Sequence, residues 1–148
     1  MARMAAGVAV VASRDGGAIR AMTVTSYASA SLDPPLVLVC LDGLSATRDA
    51  VVASGAFTLS MLERRQEFLA ERFAGRAPLV DPAWSEVPHD ISPAGLPIVH
   101  GCLAWVECSV ERRHEAGDHD VVLGAVTASG HGPGEPLVLW ARGFWSLA

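Results

Sequence analysis

Two short stretches hold most of the side chains able to do chemistry. The first, "AMTVTSYASASLDPP" at 21–35, places the five hydroxyls of Thr23, Thr25, Ser26, Ser29 and Ser31 within nine residues, with Tyr27 among them. Each Ser or Thr hydroxyl offers one donor and two acceptor lone pairs, so the set suits a polar ligand. Thr and Tyr equally suit a half-buried strand, and Ser and Pro the turn that ends it. The second stretch is "AGDH" at 116–119, where Gly117 and Asp118 signal a turn just before His119. All eleven basic residues are Arg, so an anion would be met by Arg, hydroxyls or backbone N–H groups.

Other chemistries lack their signatures. The five histidines and the three cysteines, Cys40, Cys102 and Cys108, show neither zinc-type pairing nor C-x-x-C spacing, so no metal site is expected. The odd, scattered thiols read as small core residues of a reducing compartment, the cytoplasm. No G-x-G-x-x-G follows a strand, and no Walker loop or G-x-S-x-G elbow occurs. A formal charge of −5 argues against nucleic acid, whose phosphates need a basic footprint. The longest apolar run, "PLVLVCL" at 35–41, is far shorter than a membrane span, so no membrane is expected. Yet 51% of the 148 residues are hydrophobic and only 18% charged. That surplus points to a buried subunit interface in a single-domain protein spanning 1–148.

The elements that must position these residues are mostly strands. "GVAVVAS" turns at "RDGGA" into "IRAMTVTSY", an opening hairpin. Asp33, Pro34 and Pro35 then break the ladder, and "LVLVCL" reads as a strand buried on both faces. "SATRDAVVASG" predicts a short helix with Ser45 or Thr47 as N-cap and Gly55 as its left-handed stop. "AFTLSML" is a strand, and "ERRQEFLAERFAG" the most secure helix. The proline-rich stretch 76–97 reads as a long ordered loop. The alternation from Leu103 to Val110 starts another strand, "DVVLGAVTAS" returns, and "LVLWARGFWSL" finishes. Six or seven strands with one or two inserted helices predict a mainly β, closed or nearly closed antiparallel barrel with peripheral helices.

In this order and spacing, "MTVTSYASASLDPPLVLV", "SGAFTLSML", "LAERFAG" and "GDH" resemble the flavin reductase-like family of FMN-binding split barrels over about residues 7–147. The resemblance implies that the second strand and the following loop line a flavin site. Met22, Thr23, Val24 and Thr25 would then border the ring, and Ser29 and Ser31 would hold the ribityl phosphate region. Ser45, Thr47 and Arg48 would complete the phosphate site near a helix N-terminus. His119, oriented by Asp118, would sit over the flavin near the nicotinamide, with a positioning role first and proton delivery second. Phe73, Ala74 and Gly75 match a family segment near both cofactors, although a helix end packing Phe into the core explains them as well. Trp84, Trp140 and Trp145 suit packing or the cover of an aromatic ligand, and Arg142 and Trp145 match a strand close to the flavin.

Thr25 stands where relatives often carry Asn, and Thr47 and Arg48 where some carry Lys. Six residues precede Gly7, fewer than in relatives. By the resemblance, the chain is a homodimeric NAD(P)H:flavin oxidoreductase that binds FMN or FAD and supplies reduced flavin to a partner monooxygenase. A flavin-holding electron carrier, or a split-barrel flavin oxidase of a small substrate, is the alternative.

Overall fold

The computed structural model describes residues 1–74 and 84–147. Its strands are β1 (Ala6–Gly7), β2 (Ala9–Asp15), β3 (Ala18–Val24), β4 (Tyr27–Leu32), β5 (Pro35–Asp42), β6 (Ala56–Met61), β7 (His89–Ile91), β8 (Pro97–Val99), β9 (Ala104–Ala116), β10 (His119–His131), β11 (Val138–Trp140) and β12 (Gly143–Trp145). Helix α1 (Ala46–Ser54) separates β5 from β6, and α2 (Glu67–Phe73) follows β6 after a 3-10 turn at Arg64–Gln66.

Seven strands form one antiparallel sheet in the order β3-β2-β6-β9-β10-β5-β4. Its two edges, β3 and β4, are consecutive in the chain, with only Thr25 and Ser26 between them. Laid flat, six inter-strand gaps would separate those edges by about 29 Å, whereas three peptide steps reach at most about 11 Å. The sheet must therefore roll up until its edges approach, and no ladder joins β3 to β4. This is the barrel left split that the sequence predicts.

Rolling gives the sheet two apolar faces. Val11, Val24, Val39, Leu41, Phe57, Leu59 and Val122 form one cluster, which Val51 of α1 joins. On the other face Val10, Leu62, Ala70, Phe73, Trp84, Ile98 and Leu137 collect under α2 and the β7–β8 hairpin. The period of two along β2 explains this, since Val8, Val10 and Ala12 serve one cluster and Ala9 and Val11 the other.

Several local expectations are corrected. The hydroxyl-rich stretch is not a loop: Ser29 and Ser31 lie in β4, paired with β5 in an edge ladder that bulges between them. Asp33 and Pro34 form only a tight turn, and Pro35 already pairs with Leu32. β5 buries Val39 and Leu41, while Leu36, Leu38 and Cys40 stay half-exposed. The second helix begins later than predicted, because Leu62 leaves β6 and packs into the core, and Glu63 caps the 3-10 turn through Arg65 N–H. Within 76–97, residues 84–97 hold a 3-10 turn at Trp84–Glu86 and the β7–β8 hairpin rather than a plain loop; Gly75 and 76–83 lie outside the described residues. The last strand is a hairpin, β11–β12, whose tip residues Ala141 and Arg142 take φ of 51° and 67°.

One buried carboxylate pins this frame. Glu107 on β9 accepts Ala94 N–H at 2.9 Å and Thr127 Oγ1 at 2.9 Å. Burial pushes its carboxyl up, but the bonds from Ser92, Ala94 and Thr127 outweigh that and hold it below the ordinary value of 4.5. The chain beside β8 is thus tied to the sheet by a charge that is satisfied where it is buried.

Candidate functional site

The first turn of α1 divides two grooves. Ser45 is the cap: its Oγ accepts Arg48 N–H at 2.9 Å and donates to Met22 Sδ at 3.4 Å. Gly55 closes the other end at φ 72°. This settles Ser45 rather than Thr47 as N-cap and fixes Thr47 and Arg48 on successive positions of the first turn.

One groove, of about 230 Å³, is lined by Ile19, Arg20, Met22, Ser45, Thr47, Phe73 and Trp84, among others. It joins β3, the α1 N-terminus and the end of α2. Phe73 and Trp84 stack with ring centroids 5.2 Å apart, so they pack on each other and form one aromatic wall of this groove. Arg20 Nε is buried without a hydrogen-bond partner among the described residues, with Asp15 Oδ2 3.6 Å away. Hydroxyls, a helix N-terminus and the Arg20 guanidinium on one side, with Met and aromatic side chains on the other, suit a flavin's polar tail and apolar ring. The residues present fit that cofactor.

The second groove, of about 450 Å³, lies across the same helix turn and is lined by Asp42, Leu44, Arg48, Glu115, Asp118 and His119, together with Gly43, Gly117 and Asp120. The β9–β10 hairpin reverses at Gly117, φ 65°, and pairs His119 with Asp42 of β5. Gly43 N–H donates to Asp118 O at 2.9 Å, and a Cβ at Gly43 would stand 3.2 Å from that oxygen, so a larger residue would crowd the junction. His119 Nδ1 lies 2.8 Å from Asp118 Oδ1. Hydrogen bonding to His119, and its charge when protonated, lower the Asp118 pKa, so the ionised carboxylate can only accept. In the neutral imidazole this bond selects the Nδ1–H tautomer, with the lone pair on Nε2.

The remaining expected residues divide. Thr23 is committed elsewhere, its hydroxyl donating to Ala70 O of α2 at 2.6 Å, and Val24 is buried in the core. Thr25 shares a third groove, of about 540 Å³, with Ser26, Leu139 and Arg142. Ser29 and Ser31 face none of these grooves; they sit on the exposed or half-exposed edge strand. Ala74 ends α2 next to Phe73. Trp140 and Trp145 meet edge to face at 5.7 Å, and Trp145 Nε1 donates to Trp140 O, which braces the last hairpin.

Sequence reasoning missed Arg20 and Asp120. Asp120, the second residue of β10, precedes the apolar run 121–126 yet is only 3% exposed. A carboxylate in such a run must find a cation when buried, and that was the legible signal. Its partners are Arg48 Nε at 2.6 Å and Arg113 Nε at 3.3 Å. Cys108 offers no competing nucleophile, since burial pushes its thiol up to about 12.

Comparison with known proteins agrees with this architecture. The family model described as "Flavin reductase like domain" matches residues 1–148. The chain belongs to the flavin reductase-like family. Among its relatives, the reductase component of 4-hydroxyphenylacetate 3-monooxygenase of Thermus thermophilus is 38% identical over 148 residues, covering 99% of this chain and 92% of that protein. The FMN reductase (NADH) SmoA of Agrobacterium fabrum is 36% identical, covering 88% of this chain and 73% of that protein. Among solved structures, the Streptomyces globisporus NADH:FAD oxidoreductase SgcE6, in complex with NAD and FAD fragments, superposes with a TM-score of 0.90 at 33% identity, covering 99% and 88% of the two chains. This flavin reductase-like chain therefore shares both sequence and split-barrel fold with NADH-dependent flavin reductases.

Proposed function

We propose that this flavin reductase-like chain moves a hydride from NADH to a flavin and supplies the reduced flavin to a partner monooxygenase. The observation that carries the reading is the placement of two grooves on either side of one helix turn. One presents Met22, Ser45, Thr47 and Phe73, and the other His119 held by Asp118. A flavin supplies the hydride-accepting centre, and the protein supplies orientation and a surface that limits water. Ser45, Thr47 and the α1 N–H groups hold the polar tail, and Met22, Phe73 and Trp84 the ring. His119 positions the nicotinamide, with Nε2 available to accept an N–H from its carboxamide. Thr25 and Arg142, sharing the third groove, border the flavin's outer edge.

The chain works as a homodimer. The half-exposed Leu36, Leu38 and Cys40 on β5, beside the open edge strand β4 with its exposed Leu32, offer an apolar face for a second copy. Cys40, Cys102 and Cys108 are all free thiols, which supports a reducing compartment, the cytoplasm. Among the described residues no helix is long and apolar enough to cross a membrane.

The test is NADH and NADPH oxidation by the purified protein with and without FMN or FAD, after its visible spectrum has been recorded. Oxidation that rises with added flavin supports the reading. A bound yellow chromophore that nicotinamide does not reduce overturns it in favour of a flavin-holding protein or an oxidase.

A further inference from the structure

The third groove differs from the other two in charge. Its polar lining is Thr25, Ser26 and Arg142, and no described carboxylate faces it. The His119 groove, by contrast, sets Asp42, Glu115, Asp118 and Asp120 against Arg48, whose guanidinium Asp49 and Asp120 already engage. Arg142 forms no ion pair among the described residues. It is also held in an unfavourable backbone state. Ala141 and Arg142 take φ of 51° and 67°, uncommon for residues other than Gly, Asn and Asp, so surrounding contacts must impose it. Ala141 N–H donates to Ala2 O at 2.8 Å, and Trp145 Nε1–H donates to Trp140 O at 3.0 Å across the base of the tip. A braced tip that carries a free cation beside two hydroxyls is suited to receive negative charge.

Hydride transfer creates such a charge. Hydride leaves nicotinamide C4 with both electrons of the C–H bond and bonds flavin N5. The nicotinamide becomes a pyridinium cation, and the flavin gains one negative charge, centred on N1 and the C2 carbonyl. The carboxylates of the His119 groove suit the cation and oppose the anion. From Met22, under the ring, to Thr25 is three peptide steps, at most about 11 Å, comparable to the length of a fused three-ring system. Ser26 O accepts Cys40 N–H at 2.9 Å, and Asp42, two residues along β5 from Cys40, pairs with His119. Thr25 and Ser26 thus link the Met22 groove, the third groove and the His119 register.

We propose that Arg142, with the Thr25 and Ser26 hydroxyls, takes the N1–C2 carbonyl edge of the flavin and stabilises the reduced anion over the oxidised ring. This rests on the proposed placement of the flavin ring over Met22 with its phosphate at the α1 N-terminus.

The test uses the full chain and the variants Arg142→Gln, Arg142→Lys and Arg142→Gly. Gln and Lys bear the same left-handed backbone and differ in charge, whereas Gly removes the charge and relaxes the turn. Each protein, in excess over flavin, is titrated with oxidised FMN, with riboflavin and then with sulfite, and the two-electron midpoint potential of the bound flavin is measured against a reference dye. Sulfite bonds N5 through its sulfur lone pair and leaves that electron pair on N1 and the C2 carbonyl, as hydride does, so it reports the charge without nicotinamide. Loss of one partly screened charge in Arg142→Gln weakens sulfite binding about tenfold and lowers the potential by about 30 mV, the two-electron equivalent of tenfold. Oxidised FMN and riboflavin affinities stay within about threefold, because the oxidised ring is neutral, and Arg142→Lys keeps most of the sulfite affinity.

Equal sulfite affinity in wild type and Arg142→Gln overturns the proposal, as does Arg142→Lys falling as far as Arg142→Gln. So does a loss seen with FMN and absent with riboflavin, which would put Arg142 at the phosphate. If Arg142→Gln does not fold, Arg142→Gly carries the same expectation. Wild-type protein that binds flavin and oxidises no NADH counts against the proposed function, while sulfite and the potential still read this inference; protein that binds no flavin overturns both.

Discussion

Replacing Ser45 with Ala and with Asp separates its two duties, capping α1 and facing the flavin's polar tail. Its Oγ accepts Arg48 N–H at 2.9 Å, a standard N-cap contact, and its loss in Ser45→Ala costs about 1 kcal/mol. For a domain of this size that lowers Tm by about 2–4 °C. Asp caps as well as Ser and adds charge at the positive end of the helix, so Ser45→Asp keeps or slightly raises Tm. In the groove, however, it sets a carboxylate against the phosphate. Two unit charges 4–5 Å apart at an effective dielectric of 20 repel by roughly 3–4 kcal/mol, and partial solvent screening leaves an FMN affinity loss of about tenfold or more. Riboflavin, which carries no phosphate, should lose much less. The assays are thermal melts and paired FMN and riboflavin titrations. Unaltered FMN affinity in Ser45→Asp, or equal losses for FMN and riboflavin, would refute the placement of the phosphate at this helix end.

Four further outcomes are expected. His119→Ala lowers kcat/KM for NADH by roughly 10- to 100-fold through lost positioning, with FMN Kd unchanged, which steady-state kinetics beside a flavin titration checks. Gly124→Ala places a Cβ 2.6 Å from Phe57 Cζ and 2.7 Å from Cys108 Cβ, both fully buried, and destabilises by about 1–3 kcal/mol in denaturant titration; a loss under 0.5 kcal/mol would contradict that packing. Thr23→Val removes the 2.6 Å bond to Ala70 O, which keeps only the 3.2 Å bond from Ala74 N–H, costing about 1 kcal/mol in denaturant titration and loosening the α2 end that carries Phe73. Glu107 has a folded-state pKa below its ordinary 4.5, so its stabilisation is complete above that value and is lost as pH falls through the folded pKa. Melts of Glu107→Gln and wild type should therefore differ at pH 7 and converge in acid; a constant difference across that range would contradict this account.

The strands, the two helices and the barrel class were legible because each rests on local signals: alternation in "AWVECSV", the Ser45 cap and Gly55 stop, and the Gly-rich turns. The C-terminal hairpin was not, because Ala141 and Arg142 adopt positive φ without the Gly or Asn that announces such a turn. The hydroxyl stretch is ambiguous for a related reason. Its composition suits a ligand loop and a strand equally, and only the ladder with β5 decides for β4, so Ser29 and Ser31 leave the grooves while Met22 and Ser45 meet in one.

The sequence by itself determined the opening hairpin, the capped helix after β5, the turn before His119 and the family, all of which depend on residues close together in the chain. Tertiary structure alone decided which of them share a groove. That depends on how far the sheet rolls, which brings Met22 to Ser45 and Arg48 to Asp120 across 23 and 72 positions of sequence. No local pattern encodes that distance; it follows from burying both faces of one seven-stranded sheet whose edges are joined by two residues.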